Sequence, residues 1–268
     1  MKKDILRCPV CGEVLKKENN SYKCFSNHSF DVAKEGYVNL LISNKSTSNS
    51  GDDKQMVASR TQFFDKGFYS PLRDKICQII GGFGLSDIFL LDSGCGEGYY
   101  TSEYAKLCGS CVGVDISKNA VKSAAKRCKE AVFAVASVYH LPIADKSVDV
   151  IVNCFSPNAC DEFSRVLKSG GYLVYVVPGA GHLWELKSIL YDNPYENEEK
   201  TEEYDGFELF NTYKVSTRFS LSGRDEIMSL YHMTPYTWTT PKDGSERLDR
   251  CEELTVGAEF IIYVYKKN

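Results

Sequence analysis

Asp92-Ser93-Gly94-Cys95-Gly96-Glu97-Gly98-Tyr99 is the stretch that decides the fold of this 268-residue chain. It follows the apolar run 88–91 and precedes an amphipathic stretch over 99–108, so it reads as strand, glycine loop, helix. Glycine admits backbone angles and close approaches that a β-carbon forbids. In open α/β sheets ligands bind at the carboxyl ends of the strands, where such a loop sits. Further apolar runs at 111–114, 132–135, 148–152 and 172–177 alternate with helical patterns at 117–128 and 159–168. Gly170-Gly171 reads as the stop of that last helix. The alternation predicts a parallel sheet with helices on both faces. Runs 213–221 and 259–265 alternate polar and apolar residues, as edge or antiparallel strands do. Before the loop, helical patterns run through Arg60, Phe63 and Phe64, and from Pro71 to the Gly81-Gly82 stop.

A glycine loop opening a helix serves either a dinucleotide or S-adenosylmethionine. The dinucleotide loop is G-x-G-x-x-G, whose third glycine packs helix against strand around a pyrophosphate. Here the third glycine, Gly98, comes one residue early. Adenosylmethionine has no pyrophosphate, and an acid such as Asp92 or Glu97 suits its cationic tail. Seventeen residues past Gly98 the second strand ends in Asp115, placed to accept both ribose hydroxyls; that signal serves either ligand. Two further stretches separate them. One is His140-Leu141-Pro142-Ile143-Ala144-Asp145-Lys146-Ser147-Val148-Asp149-Val150; the other is Arg165-Val166-Leu167-Lys168-Ser169-Gly170-Gly171-Tyr172-Leu173. They resemble the class I methyltransferase patterns LPF-D-S-FD and RVLKPGG, with Ser169 in place of the usual proline. The resemblance implies an α/β, Rossmann-like class I sheet of seven strands. It also implies adenosylmethionine as cofactor, with Asp92, Gly94 and Asp115 beside it.

Residues 1–42 are too few to bury a core of their own and need a staple. Cys8-Pro9-Val10-Cys11 is followed by twelve residues, then Cys24, three residues and His28. This is tetrahedral zinc spacing. Four protein ligands leave no position open to water, so the zinc is expected to be structural and to fold the segment. Residues 43–53, rich in serine and asparagine, read as a linker, and 54–268 as the catalytic domain. Cys108 and Cys111 repeat the x2 spacing without a second pair and read as core, as does Cys95 in the loop.

Composition narrows the class further. Neither a membrane-spanning apolar run nor a signal-peptide pattern is found after Met1-Lys2-Lys3, so a cytoplasmic protein with no membrane partner is expected. Eleven scattered cysteines in a reducing compartment do not make a disulfide framework. The formal net charge of −4 conceals an uneven distribution. Seven acids fall in 192–205 against Lys200 alone, which leaves 31 bases and 29 acids elsewhere (32 − 1 and 36 − 7). The acidic stretch reads as a solvated insertion, and a local basic face stays open.

Cys8 to His28, then Phe30-Asp31-Val32-Ala33-Lys34-Glu35-Gly36-Tyr37-Val38-Asn39-Leu40-Leu41, then Gly94-Cys95-Gly96-Glu97-Gly98-Tyr99-Tyr100, resemble the RlmA family. Gly179-Ala180-Gly181-His182-Leu183 and Met233-Thr234-Pro235 extend the resemblance over nearly the whole chain. Members are 23S rRNA guanine-N1 methyltransferases. The resemblance implies methylation of a guanine in a 23S rRNA hairpin near the macrolide-binding tunnel, hence a link to antibiotic resistance. It implies a zinc segment that helps recognise RNA, a homodimer, and adenosylmethionine contacts at Tyr69, Gly98, Tyr99 and His182. Asn158, Asp161 and Glu162 are candidates to hold or deprotonate the base, though helix capping explains them equally, and no general base is assigned. Lys16, Lys17, Lys23, Lys34 and Arg60 are candidates for phosphate contact. Lys118, Lys122, Lys126 and Arg127 read as a solvated helix face, and Trp184 and Trp238 as core residues able to stack on bases. Two rivals remain: a small-molecule methyltransferase with a zinc segment, and an RNA-binding module with an inactive methyltransferase domain.

Overall fold

The computed structural model describes residues 5–42, 51–199 and 203–268. Three short strands, β1 (Lys16–Glu18), β2 (Ser21–Lys23) and β3 (Ser29–Asp31), form an antiparallel ribbon. The main sheet has eight strands. They are β4 (Tyr37–Asn39), β5 (Phe89–Ser93), β6 (Ser110–Asp115), β7 (Val132–Val135), β8 (Val148–Cys154), β9 (Leu167–Pro178), β10 (Phe207–Ser222) and β11 (Glu253–Lys267). Their order is β10-β11-β9-β8-β5-β6-β7-β4. Strands β4 to β9 pair in parallel, and β11 runs antiparallel to both neighbours. The seven strands of the class I methyltransferase fold are present, and the sheet carries one more. That extra edge strand comes from the Tyr37-Val38-Asn39 run of the N-terminal segment, paired with β7.

Alternation along each strand loads both faces. Leu90 of β5 points into one core with Val150, Val152, Val174 and Val176; Phe89 and Leu91 point into the other with Ile151 and Leu173. Helices α1 (Lys54–Asp65), α2 (Ser70–Gly82), α3 (Thr101–Tyr104) and α4 (Lys118–Arg127) contribute to the first core. Helix α5 (Cys160–Val166) packs in the second; α6 (Trp184–Leu190), α7 (Arg224–His232) and α8 (Lys242–Asp249) contribute to the first. Helix α4 shows why such a sequence folds this way. Ser117 Oγ accepts from the Ala120 amide at its N-terminus, Ala120, Val121, Ala124 and Ala125 bury one face, and Lys126 and Arg127 end it.

The ribbon does not stand apart. Ile5, Leu6, Leu15, Val38 and Leu40 are buried in the same cluster as Leu141, Ile143 and Phe163. The Arg7 amide donates to Pro142 O and the Ala144 amide to Ile5 O, so the Leu141–Ala144 stretch is the ribbon's docking strip. Two sequence expectations change here. Helix α5 ends at Val166, not at Gly170-Gly171, because Leu167 is already extended and pairs with Val148. The two glycines sit inside β9 at its register shift, where a β-carbon on Gly171 would lie 2.9 Å from Asp149 O. Of the 43–53 linker, 43–50 fall outside the described residues, while Gly51 and Asp52 pack against the end of β6: the Ser117 hydroxyl donates to Asp52 O at 2.6 Å.

Candidate active site and metal centre

A cavity of about 880 Å³ opens along the carboxyl ends of the parallel strands. Its floor is the glycine loop. Gly94, Gly96 and Gly98 all have positive φ (83°, 53° and 85°). At Gly94 a β-carbon would collide with the Ser156 side chain at 2.2 Å, and at Gly98 with Ala124 of α4 at 2.9 Å. Gly94, itself on the cavity wall, spares room for Ser156, whereas Gly98 serves the approach of a helix.

At the end of β6 the Asp115 carboxylate accepts from the Gly96 and Ser117 amides at 3.0 and 2.8 Å, one to each oxygen. A second lone pair on each oxygen remains for a diol. Burial raises its pKa, and those two amides oppose the rise. Asp92 is buried and accepts from Thr101 Oγ1 at 2.6 Å; burial pushes its pKa up to about 7. Glu97 is 2% exposed, its Oε1 has no hydrogen-bond partner, and burial raises its pKa against the pull of Arg60 and Arg127. Arg60 is ion-paired with Asp52 beside Gly96.

Across the cavity His182 is held by a carbonyl. Its Nδ1 lies 2.8 Å from Glu259 O, so Nδ1 carries the proton and donates. Nε2 keeps its lone pair and lies 3.5 Å from the Tyr69 hydroxyl, which donates to it. Burial pushes the His182 pKa down to about 4, keeping the ring neutral, and pushes the Tyr69 phenol up.

The structure thus places Tyr69, Gly94, Asp115 and His182 on the cavity wall, and Asp92, Gly98 and Tyr99 behind it. Tyr99 stacks on Phe64 at 4.6 Å and receives Arg73 over its ring. Asp161 is exposed and Asn158 lies off the wall. Glu162 is committed to the Leu141 amide and to Arg165, which draw its pKa down against burial. Arg60, expected on RNA phosphates, instead lines the cavity, held there by Asp52. Trp238 is not core: it is 70% exposed, and Trp184 is 38% exposed. The acidic stretch is no mere solvated insertion. Tyr195 and Asn197 form cavity wall, because the fully buried Lys187 ammonium donates to Tyr195 O and Asn197 Oδ1. Lys200 and Glu202 fall outside the described residues. Asp52, Arg60, Tyr195 and Asn197 were missed as site residues since no local pattern links them to the loop. The Met233-Thr234-Pro235 motif was a usable signal, for all three residues line the cavity.

At the other end of the chain, Cys8, Cys11, Cys24 and His28 bring one ligand atom each within 4.8 Å of one another. The Cys11 and Cys24 sulfurs are 3.7 Å apart, and Cys24 Sγ is 3.4 Å from His28 Nδ1. Tetrahedral zinc with Zn–S near 2.3 Å requires sulfur pairs roughly 3.8 Å apart, so the donor set fits. Positive φ at Gly12 (77°) and Asn27 (64°) turns the chain back at each knuckle.

Residues 6–49 match the family model described as "RlmA, N-terminal", and residues 91–175 match "Methyltransferase domain". A putative 23S rRNA (guanine-N(1)-)-methyltransferase of Bacillus subtilis, YxjB, is 31% identical over 96% of this chain and 96% of its own. The chain belongs to the RlmA family. The 23S rRNA (guanine(748)-N(1))-methyltransferase of Streptomyces fradiae is 36% identical over 69% of this chain and 67% of its own. A putative 23S rRNA (guanine-N(1)-)-methyltransferase of Micromonospora griseorubida is 32% identical over 88% and 87%. Like its RlmA relatives this chain is a methyltransferase with adenosylmethionine as cofactor and a structural zinc. The cavity fits that cofactor on its own evidence: the unpartnered Glu97 oxygen and Tyr100 hydroxyl both belong to wall residues and lack the polar partner a ligand brings. Among the described residues no helix is long and apolar enough to cross a membrane.

Proposed function

We propose that this chain methylates N1 of a guanine in a hairpin of 23S rRNA. One observation carries the reading: an RlmA-type zinc ribbon is buried against the same sheet whose carboxyl ends line the cavity, in a chain whose relatives over most of its length are named for that reaction. Adenosylmethionine supplies an electrophilic methyl group on a sulfonium. Asp115 accepts the ribose hydroxyls with its remaining lone pairs, and Glu97 draws the cationic tail. Gly94 lets Ser156 pack against the floor, and Tyr69 and His182 close the opposite wall. Asp92, Gly98 and Tyr99 act from behind it, by holding Thr101, α4 and Phe64. Beyond the donor the wall turns apolar, with Phe155, Pro157, Val177 and Pro178, so the attacking nitrogen reacts stripped of water. Neutral His182, whose Nε2 accepts from the Tyr69 hydroxyl, fixes that hydroxyl on the wall rather than storing a proton. No side chain is assigned as general base.

RNA backbone contact falls to Lys16, Lys17, Lys23 and Lys34, all exposed on the ribbon side. The long outer edge of β10, with Leu209 and Phe210 exposed, supports a homodimer. The same reading makes this a cytoplasmic enzyme whose product lies near the macrolide tunnel. The test incubates the purified protein with methyl-labelled adenosylmethionine and deproteinised 23S rRNA, then maps the label. N1-methylguanine at a single hairpin is expected. Label confined to small metabolites makes the chain a small-molecule methyltransferase, and no transfer at all removes the reading.

A further inference from the structure

Two parts of the cavity wall differ in origin. The glycine loop, with Asp115 and Ile116, belongs to the sheet. The rest includes two segments outside it, the strap over residues 191–199 and the turn Pro235–Trp238. Both are fixed by specific bonds. The Asn197 amide donates to Ala180 O at 3.0 Å, its Nδ2 to Gly179 O at 2.7 Å, and Glu199 accepts from the Ala180 amide at 3.1 Å. The Tyr191 hydroxyl and Thr239 Oγ1, 2.7 Å apart, tie the start of the strap to the end of the turn. Lys187 is the post beneath them. It is fully buried, gives hydrogen bonds at 3.0 and 2.9 Å to Tyr195 O and Asn197 Oδ1, and lies 4.7 Å from the Tyr195 ring and 5.8 Å from that of Tyr236.

What these segments present to the cavity is aromatic and exposed. Tyr195 is 54% and Trp238 70% exposed, beside Phe155 at 44%. Large aromatic side chains normally recover their burial in a core or an interface. Three exposed aromatics on the wall of one cavity, one of them on a strap with its own buried post, make a surface for a flat, neutral ligand. A base buried in a duplex cannot reach a methyl donor in a cavity and must be turned out of its stack. Aromatic side chains compensate the lost stacking.

We propose that Tyr195 and Trp238 form an aromatic collar that receives the target purine by stacking, with Lys187 as the positioning residue that holds the Tyr195 side of it. The identity of the purine as a 23S rRNA guanine rests on the reading above; the collar itself rests on the cavity wall. Trp238→Ala and Tyr195→Ala each lower kcat/KM for 23S rRNA roughly tenfold or more, mainly through KM, at unchanged affinity for S-adenosylhomocysteine. Trp238→Phe restores most of the loss. A second measurement needs no rRNA. The chain has two tryptophans, so Trp184→Phe leaves Trp238 as the only one. In that protein, saturated with S-adenosylhomocysteine, guanosine 5′-monophosphate quenches Trp238 emission, and adding Tyr195→Ala weakens the quenching. Alanine variants that methylate 23S rRNA as well as the parent overturn the collar. If the parent has no rRNA activity, the nucleotide decides: quenching keeps the collar and removes only the rRNA reading, and unchanged emission overturns the collar.

Discussion

At Gly98 the backbone sits at φ 85° and a β-carbon would lie 2.9 Å from the Ala124 Cα and Cβ. Strain and overpacking each cost about 1–3 kcal/mol. Gly98→Ala is therefore expected to lose about 2–5 kcal/mol in urea unfolding, because α4 must move off the loop. A change below about 0.5 kcal/mol would contradict the close approach. The family resemblance implies a ligand contact at Gly98; its spacing is legible, but which neighbour it spares room for depends on where α4 packs. His182 allows a pH test with a definite sign. Its folded pKa is about 4 against an ordinary 6.5, with burial as the cause. Between those values the unfolded chain binds more protons, so the contribution is full above about pH 6.5 and is lost as pH falls toward 4. The shift corresponds to about 3 kcal/mol. The unfolding free energy of the parent minus that of His182→Asn should fall by about that amount across the window. A pH-independent difference would mean that the ring is not held neutral.

Elements were legible wherever periodicity was strong and local. The pattern 132–135 is β7 as read, and the 117–128 pattern is α4 with Ser117 as its cap. The reading failed where a tertiary partner outbids local chemistry. Gly170-Gly171 looks like a helix stop for the 159–168 pattern, yet pairing of Leu167 with Val148 and the Lys168–Asp149 ion pair at 2.5 Å end α5 at Val166, two residues sooner. The acidic stretch looks solvated because its charges dominate, while it is held by Tyr195 O and Asn197 Oδ1 on Lys187 and by Glu199 on the Ala180 amide and Lys214. A fully buried ammonium bound to neutral acceptors is a burden on folding. Lys187→Met is expected to leave overall stability within about 1 kcal/mol or to raise it, while limited proteolysis within 191–199 accelerates. Unchanged cleavage there would mean the strap stands without its post. The ribbon behaves differently, since its strands are only three residues each. Chelation of the zinc is expected to unfold it and to lower the melting temperature, and refolding should require added metal. A melting curve indifferent to chelator would rule out a structural metal.

Over the whole molecule, the ribbon and the methyltransferase sheet share a core through Ile5, Leu6, Leu15, Val38 and Leu40 on one side and Leu141, Ile143 and Phe163 on the other. Edge pairing of β4 with β7 adds to it. A fragment of residues 51–268 should therefore melt below the full chain. Losing a few buried aliphatic side chains costs roughly 3–6 kcal/mol, or about 6–20 °C for a body of this size. Equal melting temperatures would make the two parts independent. The sequence by itself determined the strand-helix alternation, the glycine loop, the acid at the end of the second strand and the four metal ligands. Each of these is set by spacing along the chain, and backbone geometry converts that spacing directly into position. Only the tertiary structure decided that Gly98 faces a helix, that Arg60 and Asp52 line the cavity beside the glycine loop, that Trp238 is exposed on the cavity wall, and that β4, the strand after the ribbon, joins the sheet. Those facts depend on which distant surfaces meet. Burial and hydrogen bonding between segments apart in the sequence fix that meeting, and neither leaves a local pattern to read.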